Sequence, residues 1–378
     1  MYKFNQIRMN YSNLSEWLER QPPAVSQMLA SEEGIFDQQL TVYDFLIKTI
    51  SKIDLEKGAE WRYKSPQTIA HQKKTMNSVF CPILKDMMDR VEHALDHRFV
   101  LYNNMSPQEF AGYLTKVFPR RAYANNNHFY EIDFSKYDKS QGLVILYFEI
   151  MLMEEFGVPA DYLKMWIVMH KYTLIIDRYN RFHGIVEYQR KSGDAGTWRL
   201  NTLVQIAILN TTFRLYELEK FIGCFSGDDS LLFMDPVSHI ELKLSKLQNI
   251  YNLEAKLMNY KIPYFCSKFL IMTDEKWIFV PDLVKLIIKL GRNDLVDFEH
   301  VECYRVSFND NLYFYKDKLN WPFISTAVND RYKISGEHDY IYSTLLALSQ
   351  KPERFRSLYY ERKGHVKGII SSKPKLEL

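Results

Sequence analysis

The run Phe221-Ile222-Gly223-Cys224-Phe225-Ser226-Gly227-Asp228-Asp229-Ser230-Leu231-Leu232-Phe233 narrows the choice of fold more than any other segment. Two short apolar runs, FIGCF and SLLF, flank a tight polar turn, which is the sequence pattern of a β-hairpin. The turn carries two adjacent carboxylates on apolar strands. Crowded like charges repel, and an isolated pair costs stability. A divalent cation removes that cost, and hard cations such as Mg²⁺ prefer carboxylate oxygens. Gly227 suits a turn whose backbone a side chain would block. An ordinary surface turn has the same local look, because Gly-Asp is common in hairpins. The weight therefore rests on what accompanies it.

The chain of 378 residues is long enough for a large core, arranged as two or three domains or as one interlocked molecule. Hydrophobic residues at 47% and charged residues at 25% fit a soluble globular protein. Aromatic residues reach 15%, enough for core packing and for stacking on bases. The net charge of +3 excludes a protein that coats nucleic acid with its whole surface, so any cationic channel is local. Cys81, Cys224, Cys266 and Cys303 have no paired spacing, and the N-terminus does not resemble a signal peptide; reduced thiols in a cytosolic setting are expected. The longest apolar stretch, Leu143 to Met153, is interrupted by Glu149 and is too short to span a bilayer.

Along the chain, Ser12 to Met28 reads as short helices broken by Pro22-Pro23. Phe80 to His97 has helical periodicity and would put His93 and His97 on one face. No Glu follows His93 and no third ligand is evident, so a zinc site is not expected. Met105 to Val117 reads as a helix capped by Ser106 with Pro107 at its first position. Phe129 to Phe134 alternates like a half-buried strand. Helices are expected from about Ser140 to Phe156, Asp161 to Ile176, Thr197 to Leu218 and Ser238 to Tyr251. Strands are expected around Tyr264 to Met272, with a mainly helical remainder from about Phe279. No internal repeat or linker is visible, which favours one integrated fold.

Three segments combine chemically. Asp133-Phe134-Ser135-Lys136-Tyr137-Asp138 is a strand ending in one carboxylate with another close behind. Ser192-Gly193-x-x-x-Thr197-x-x-x-Asn201 is a glycine-containing loop opening a helix, with Thr197 and Asn201 on one face. The third is the Gly227-Asp228-Asp229 turn. A strand-end Asp beside a hairpin-turn Asp can clamp two Mg²⁺ ions, which polarise an attacking hydroxyl and steady a departing pyrophosphate oxygen.

In this order, the segments resemble the palm motifs of viral RNA-dependent RNA polymerases of the alphavirus-like superfamily, and are similar to the tobamovirus and closterovirus polymerases of plants. DFSKYDKSQ corresponds to motif A, YQRKSGDAGTWRLNT to motif B and FSGDDSLLF to motif C, while NLEAKLMNYKIPYFCSKFLI covers D and E. SEWLERQPPAVSQML, YDFLIKTISK and IAHQKKTMNSVFCPI are similar to the family's fingers and basic F region, and LVKLIIKLGRNDLVDFEH to the start of its thumb. One departure is Arg199-Leu200, where the family more often has a small residue before Asn201.

The resemblance implies an α+β right-hand polymerase fold, with fingers, a palm built on an antiparallel sheet, and a thumb. Its divisions would be fingers at 1–128, palm at 129–156, a fingers insertion at 157–189, palm at 190–275 and thumb at 276–378. It implies template-directed transfer of ribonucleoside monophosphates to an RNA 3′ end, in the replication and transcription of a positive-strand RNA virus genome. Mg²⁺ would be the cofactor, with Mn²⁺ able to substitute. Asp133 and Asp228 would be the principal metal ligands, assisted by Asp229. Asp138, Asn201 and Thr197 would read the ribose 2′-hydroxyl, and Ser192 and Gly193 would let the loop approach template and nucleotide. Lys48, Lys52, Lys73 and Lys74 would cover the triphosphate. Lys256 would protonate the leaving pyrophosphate, and Lys268 would hold a primer-strand phosphate. Partners would be template and nascent RNA, ribonucleoside triphosphates and viral helicase or capping proteins. Those proteins would bring a chain with no membrane span of its own to membrane-associated replication complexes in the host cytoplasm. Rival readings are a reverse transcriptase-like polymerase and a non-catalytic RNA-binding relic. The Asp138–Asn201 pair disfavours the first, and the retained, mutually repelling carboxylates disfavour the second.

Overall fold

A computed structural model of the protein describes residues 4–31, 39–48, 53–54, 62–63, 67–118, 128–177, 179, 181–258, 260–292 and 294–359. The chain is mixed α and β and divides into two compact units, Met1–Asn103 with Asn127–Met258, and Asn104–Asn126 with Asn259–Leu378. Among the described residues no helix is long and apolar enough to cross a membrane. All four cysteines are free thiols.

The first unit holds strands β1 (Val42–Ile47), β2 (Ile53–Asp54), β3 (Arg62–Tyr63), β4 (Thr68–His71), β5 (Phe99–Leu101), β6 (His128–Phe134), β7 (Tyr172–Asp177), β8 (His183–Glu187), β9 (Phe221–Ser226), β10 (Asp229–Met234) and β11 (Ala255–Met258). The sheet that matters most has the order β11-β6-β10-β9-β5 and is antiparallel except for the β5–β9 pair. Away from the turn, β9 and β10 are buried on both faces, as their unbroken apolar runs require. Gly223 is explained by its neighbours: a methyl group there would sit 2.6–2.7 Å from the rings of Phe225 and Phe221. Those two rings close over the bare backbone, and Phe99 of the adjoining β5 packs on both, at 5.2 and 6.0 Å between centroids.

Helices Lys74–Ala94, Leu143–Glu155, Ala160–Lys171, Thr197–Phe213 and Ile240–Tyr251 contribute to the same core. The stripe Met76, Phe80, Ile83, Leu84, Met87 and Val91 on the first of them repeats at helical spacing and is buried throughout. Leu200 is fully buried, and Gly196, one turn earlier, makes its room: a methyl at 196 would lie 2.8 Å from Leu200 Cδ1. The bulky residue before Asn201 is thus accommodated by a glycine. A second sheet, β4-β1-β7-β8, pairs β1 with β7 in parallel and its other neighbours antiparallel.

Several expectations change. The helix expected over Asp161 to Ile176 ends at Lys171, and β7 begins at Tyr172. Ile175 and Ile176 are β-branched and find partners in both β1 and β8, and Thr173, also β-branched, pairs with Val186 of β8, so pairing wins over helical spacing. The helix expected over Thr197 to Leu218 closes at Phe213, where Arg214 takes a left-handed conformation with φ of 55°. The Lys74–Ala94 helix stops short of His97, so His93 and His97 do not share a helical face. Strand β5 was not anticipated.

The second unit packs the Pro107–Val117 helix on a sheet of β12 (Tyr264–Phe265), β13 (Lys268–Met272) and β14 (Trp277–Pro281). The helix starts as expected, with Ser106 and Glu109 forming a reciprocal capping box. Strand β14 runs past Phe279, where helix was expected to begin. Phe110 fills the contact with Phe279, 4.8 Å between centroids, and the Trp277 indole donates to the Phe118 carbonyl. Helices Leu283–Leu290, Phe298–Asn311, Trp321–Tyr332 and Asp339–Gln350 complete this unit.

Candidate functional site

The two-residue turn Gly227-Asp228 joins β9 to β10, with φ of 64° at Gly227 and no positive φ at Asp228. That is the II′ pattern, which calls for glycine first. The Thr197–Phe213 helix clasps the turn. The Gly227 N–H donates to Thr202 Oγ1 at 2.8 Å, and Gln205 Nε2 donates to the Asp228 carbonyl at 2.8 Å. Trp198 Nε1 donates to Ser226 Oγ at 3.0 Å. Thr202 and Gln205 are fully buried, so the backbone of the turn is fixed from below while the Asp228 and Asp229 side chains stay exposed.

Asp133 lies at the exposed end of β6. Ile132 pairs with Ser230, so Asp133 and Asp229 occupy the next positions along the two strands. On the other side Asp133 pairs with Lys256 of β11, which places the carboxylate and the ammonium on one face of the sheet. Asp133 and Asp228 line the same cavity of about 720 Å³, together with Asp138, Lys48 and Ser192. Lys136, Lys139, Arg190 and Lys191 add cations to its walls, and Phe45, Ile175, Phe182 and Val186 give it an apolar side. Among the described residues no three His, Cys, Asp or Glu side chains are grouped to hold an ion by themselves. Two carboxylates on one cavity still fit Mg²⁺, which binds through one or two carboxylates and takes its other oxygens from phosphates and water.

Behind Asp133, Asp138 accepts from Asn201 Nδ2 at 2.7 Å, and Asn201 itself is buried. Burial raises the Asp138 pKa, opposed by the Asn201 bond and Arg190, and reinforced by the Asp228 and Asp194 charges. Its ionised form is therefore disfavoured by folding. The cost is absent below the ordinary aspartate value, grows as pH rises from that value to the raised folded-state pKa, and is fully present above it. Asp138→Asn keeps the acceptor for Asn201 and is expected to melt above the parent at pH 7, with the gap shrinking toward pH 4. Scanning calorimetry across that range checks it; a gap independent of pH would contradict the assignment.

The loop before the helix is pinned to its surroundings. Asp194 is buried, accepts from the Tyr43 hydroxyl at 2.7 Å and lies 3.0 Å from His170 Nε2. Burial alone would raise its pKa, but His170, Lys191 and Tyr43 outweigh it and hold the carboxyl below its usual range. Burial lowers the Lys191 pKa to about 8, against the pull of Asp194.

The other residues singled out in the sequence fall as follows. The Thr197 hydroxyl donates into its own loop, to the carbonyls of Lys191 and Asp194. Gly193 packs against β4: its N–H donates to the Ala70 carbonyl, and a methyl there would lie 2.4 Å from His71 Cβ. Its lack of a side chain serves that contact. Lys48 lines the cavity and donates to Gln67. Lys73 and Lys74 are exposed at the start of the Lys74–Ala94 helix, apart from the residues lining the cavity. Lys52 lies outside the described residues. Lys268 belongs to the second unit, where it opens β13, donates to the Cys266 carbonyl and lies over the Phe279 ring.

Sequence reasoning missed Gln141, Glu149 and Arg190. The three are buried together, with Arg190 paired to Glu149. The signal was available: Glu149 interrupts an apolar run, and a charge in such a run needs a buried counter-charge.

A family profile described as RNA-dependent RNA polymerase matches residues 1–358. The chain is 33% identical over 361 residues to the RNA replication protein of Citrus leprosis virus C, covering 95% of this chain and 14% of that protein. It is 33% identical over 326 residues to the RNA-directed RNA polymerase of Barley stripe mosaic virus, covering 85% and 41% respectively. With the replicase polyprotein 1ab of Grapevine leafroll-associated virus 3 the identity is 28% over 360 residues, covering 94% and 13%. The chain thus spans less than half the length of these curated relatives.

Proposed function

The chain belongs to the RNA-dependent RNA polymerase family, and from that premise we propose that it transfers ribonucleoside monophosphates to an RNA 3′ end under the direction of an RNA template. The observation that carries this reading is the shared cavity, with Asp133 and Asp228 on one side, cations around it and an apolar wall of Phe45, Ile175, Phe182 and Val186. That division suits a nucleotide, whose phosphates need positive charge and whose base needs an apolar face.

Each side chain then has a task. Lys48, Lys136 and Lys139 draw in the triphosphate. Asp138, tied to Asn201, accepts from the 2′-hydroxyl that separates RNA from DNA. Lys256, beside Asp133, gives a proton to the leaving pyrophosphate. Divalent cations held by Asp133 and Asp228, with Asp229 assisting, would supply charge stabilisation at the reacting phosphate; Mg²⁺ is the expected ion and Mn²⁺ its substitute. Fingers, palm and thumb follow the same divisions, with β6, β9, β10 and β11 of the five-stranded sheet forming the palm and β5 joining them from the fingers segment. The setting is replication of a positive-strand RNA virus genome, with helicase and capping partners that bring the chain to membrane-associated complexes in the host cytoplasm.

Extension of an RNA primer on an RNA template tests this directly. Product is expected with ribonucleotides, dependent on the template and abolished by chelating divalent ions. Extension that ignores the template, or that prefers deoxyribonucleotides, would overturn it.

A further inference from the structure

We propose that Arg190, acting through Gln141, decides which end of the Asn201 amide faces Asp138, and so positions the group that tells ribose from 2′-deoxyribose. The proposal rests on the RNA-synthesis reading of the cavity and assigns a role to residues that this reading leaves unused.

Hydrogen-bond polarity carries the argument. A guanidinium can only donate. Arg190 Nε donates to Gln141 Oε1 at 3.2 Å, which commits the acceptor end of that amide. Gln141 must then offer its amino end to the next residue, and Nε2 donates to Asn201 Oδ1 at 2.9 Å. Asn201 in turn has only its amino end left, and Nδ2 donates to Asp138 Oδ1 at 2.7 Å. One obligatory donor at the start thus fixes every amide down to the carboxylate that lines the cavity.

The line is largely withdrawn from solvent, although Arg190 also reaches the cavity wall. Arg190, Gln141 and Asn201 are 5%, 3% and 4% exposed, so a flipped amide left without its partner carries the cost of a buried unpaired polar group. Glu149, 1% exposed, holds the guanidinium by an ion pair. The Asn201 main chain is fixed independently, because the Tyr137 hydroxyl donates to its carbonyl at 3.1 Å. Reversal would set Asn201 Oδ1 against the Asp138 carboxylate, two acceptors with no proton between them. The observed polarity leaves Asn201 a second amide N–H and Asp138, which lines the cavity, a second oxygen. A hydroxyl, which donates and accepts, matches that pair; a carbon bearing only hydrogens matches neither.

Gln141→Glu tests the direction of the relay at constant size. Glutamate accepts at both oxygens, so Asn201 must turn its amino end toward residue 141 and its oxygen toward Asp138. The ratio of kcat/KM for a ribonucleotide over its 2′-deoxy counterpart is expected to fall by about tenfold or more, the scale of a reversed buried hydrogen bond. Affinity for the RNA template should be unchanged. The double variant Glu149→Gln/Arg190→Gln removes the fixed donor while leaving no lone buried charge; it should lower the same ratio and supplies the answer if Gln141→Glu does not melt cooperatively. A ratio within about twofold of the parent, in a folded variant that still incorporates ribonucleotides, overturns the relay. A parent that incorporates no ribonucleotide overturns the RNA-synthesis reading instead.

Discussion

Asp228→Asn is expected to slow template-directed incorporation by about a thousandfold while shifting the melting temperature by no more than about 2 °C. The two effects separate because different atoms of Asp228 do different work. Its backbone carbonyl is the atom that Gln205 holds, and Asn leaves it untouched. The carboxylate is exposed and faces the cavity, so its loss disturbs no packing. Asp133→Asn should behave alike, since that side chain is also exposed and also lines the cavity. Groups that act on one reacting centre are not additive, so the double variant should be scarcely slower than either single. Single-turnover incorporation and calorimetry on the three proteins measure this. Activity within about tenfold of the parent in Asp228→Asn would remove that carboxylate from the chemistry.

Arg190→Gln is expected to cost about 3–5 kcal/mol of stability, because it leaves Glu149 charged and buried without its partner. The Glu149 and Arg190 side chains are both about 2% exposed, so neither charge has water to fall back on. Adding Glu149→Gln should restore most of that loss: two neutral amides of similar volume carry no charge to desolvate. Denaturant unfolding of both single variants and the double measures the coupling. Costs that simply add would mean that the two side chains do not depend on each other. Nucleotide selection is read separately from this stability change, since the double variant is expected to fold and yet discriminate poorly.

The hairpin was legible because all its signals are local. Apolar runs, a glycine and the acids sit within one short stretch, and the structure closes the turn where the sequence put it. The capped helix at Pro107 was legible for the same reason. Strand β7 was not, since Tyr172 to Ile176 is apolar enough for either helix or strand. Its parallel partner β1, far back in the chain, decides the matter. Strand β5 is three residues long and shows no alternation to read. Within the site, Asp133, Asp138 and Asp228 were marked by residue type, and they do line one cavity. The orientation of Thr197 and the contact that needs Gly193 depend on packing that no spacing rule contains. Glu149 could be seen as an anomaly, but not that its counter-charge is Arg190, which follows three further elements.

The Thr197–Phe213 helix carries Asn201 on one turn and the clasp of Thr202 and Gln205 on the same and the next. Sugar identity and the aim of the acid are therefore geared to a single shaft. Any drug-like wedge or distant substitution that tilts this shaft would alter fidelity and speed in step, and a variant that changes one without the other must act somewhere else.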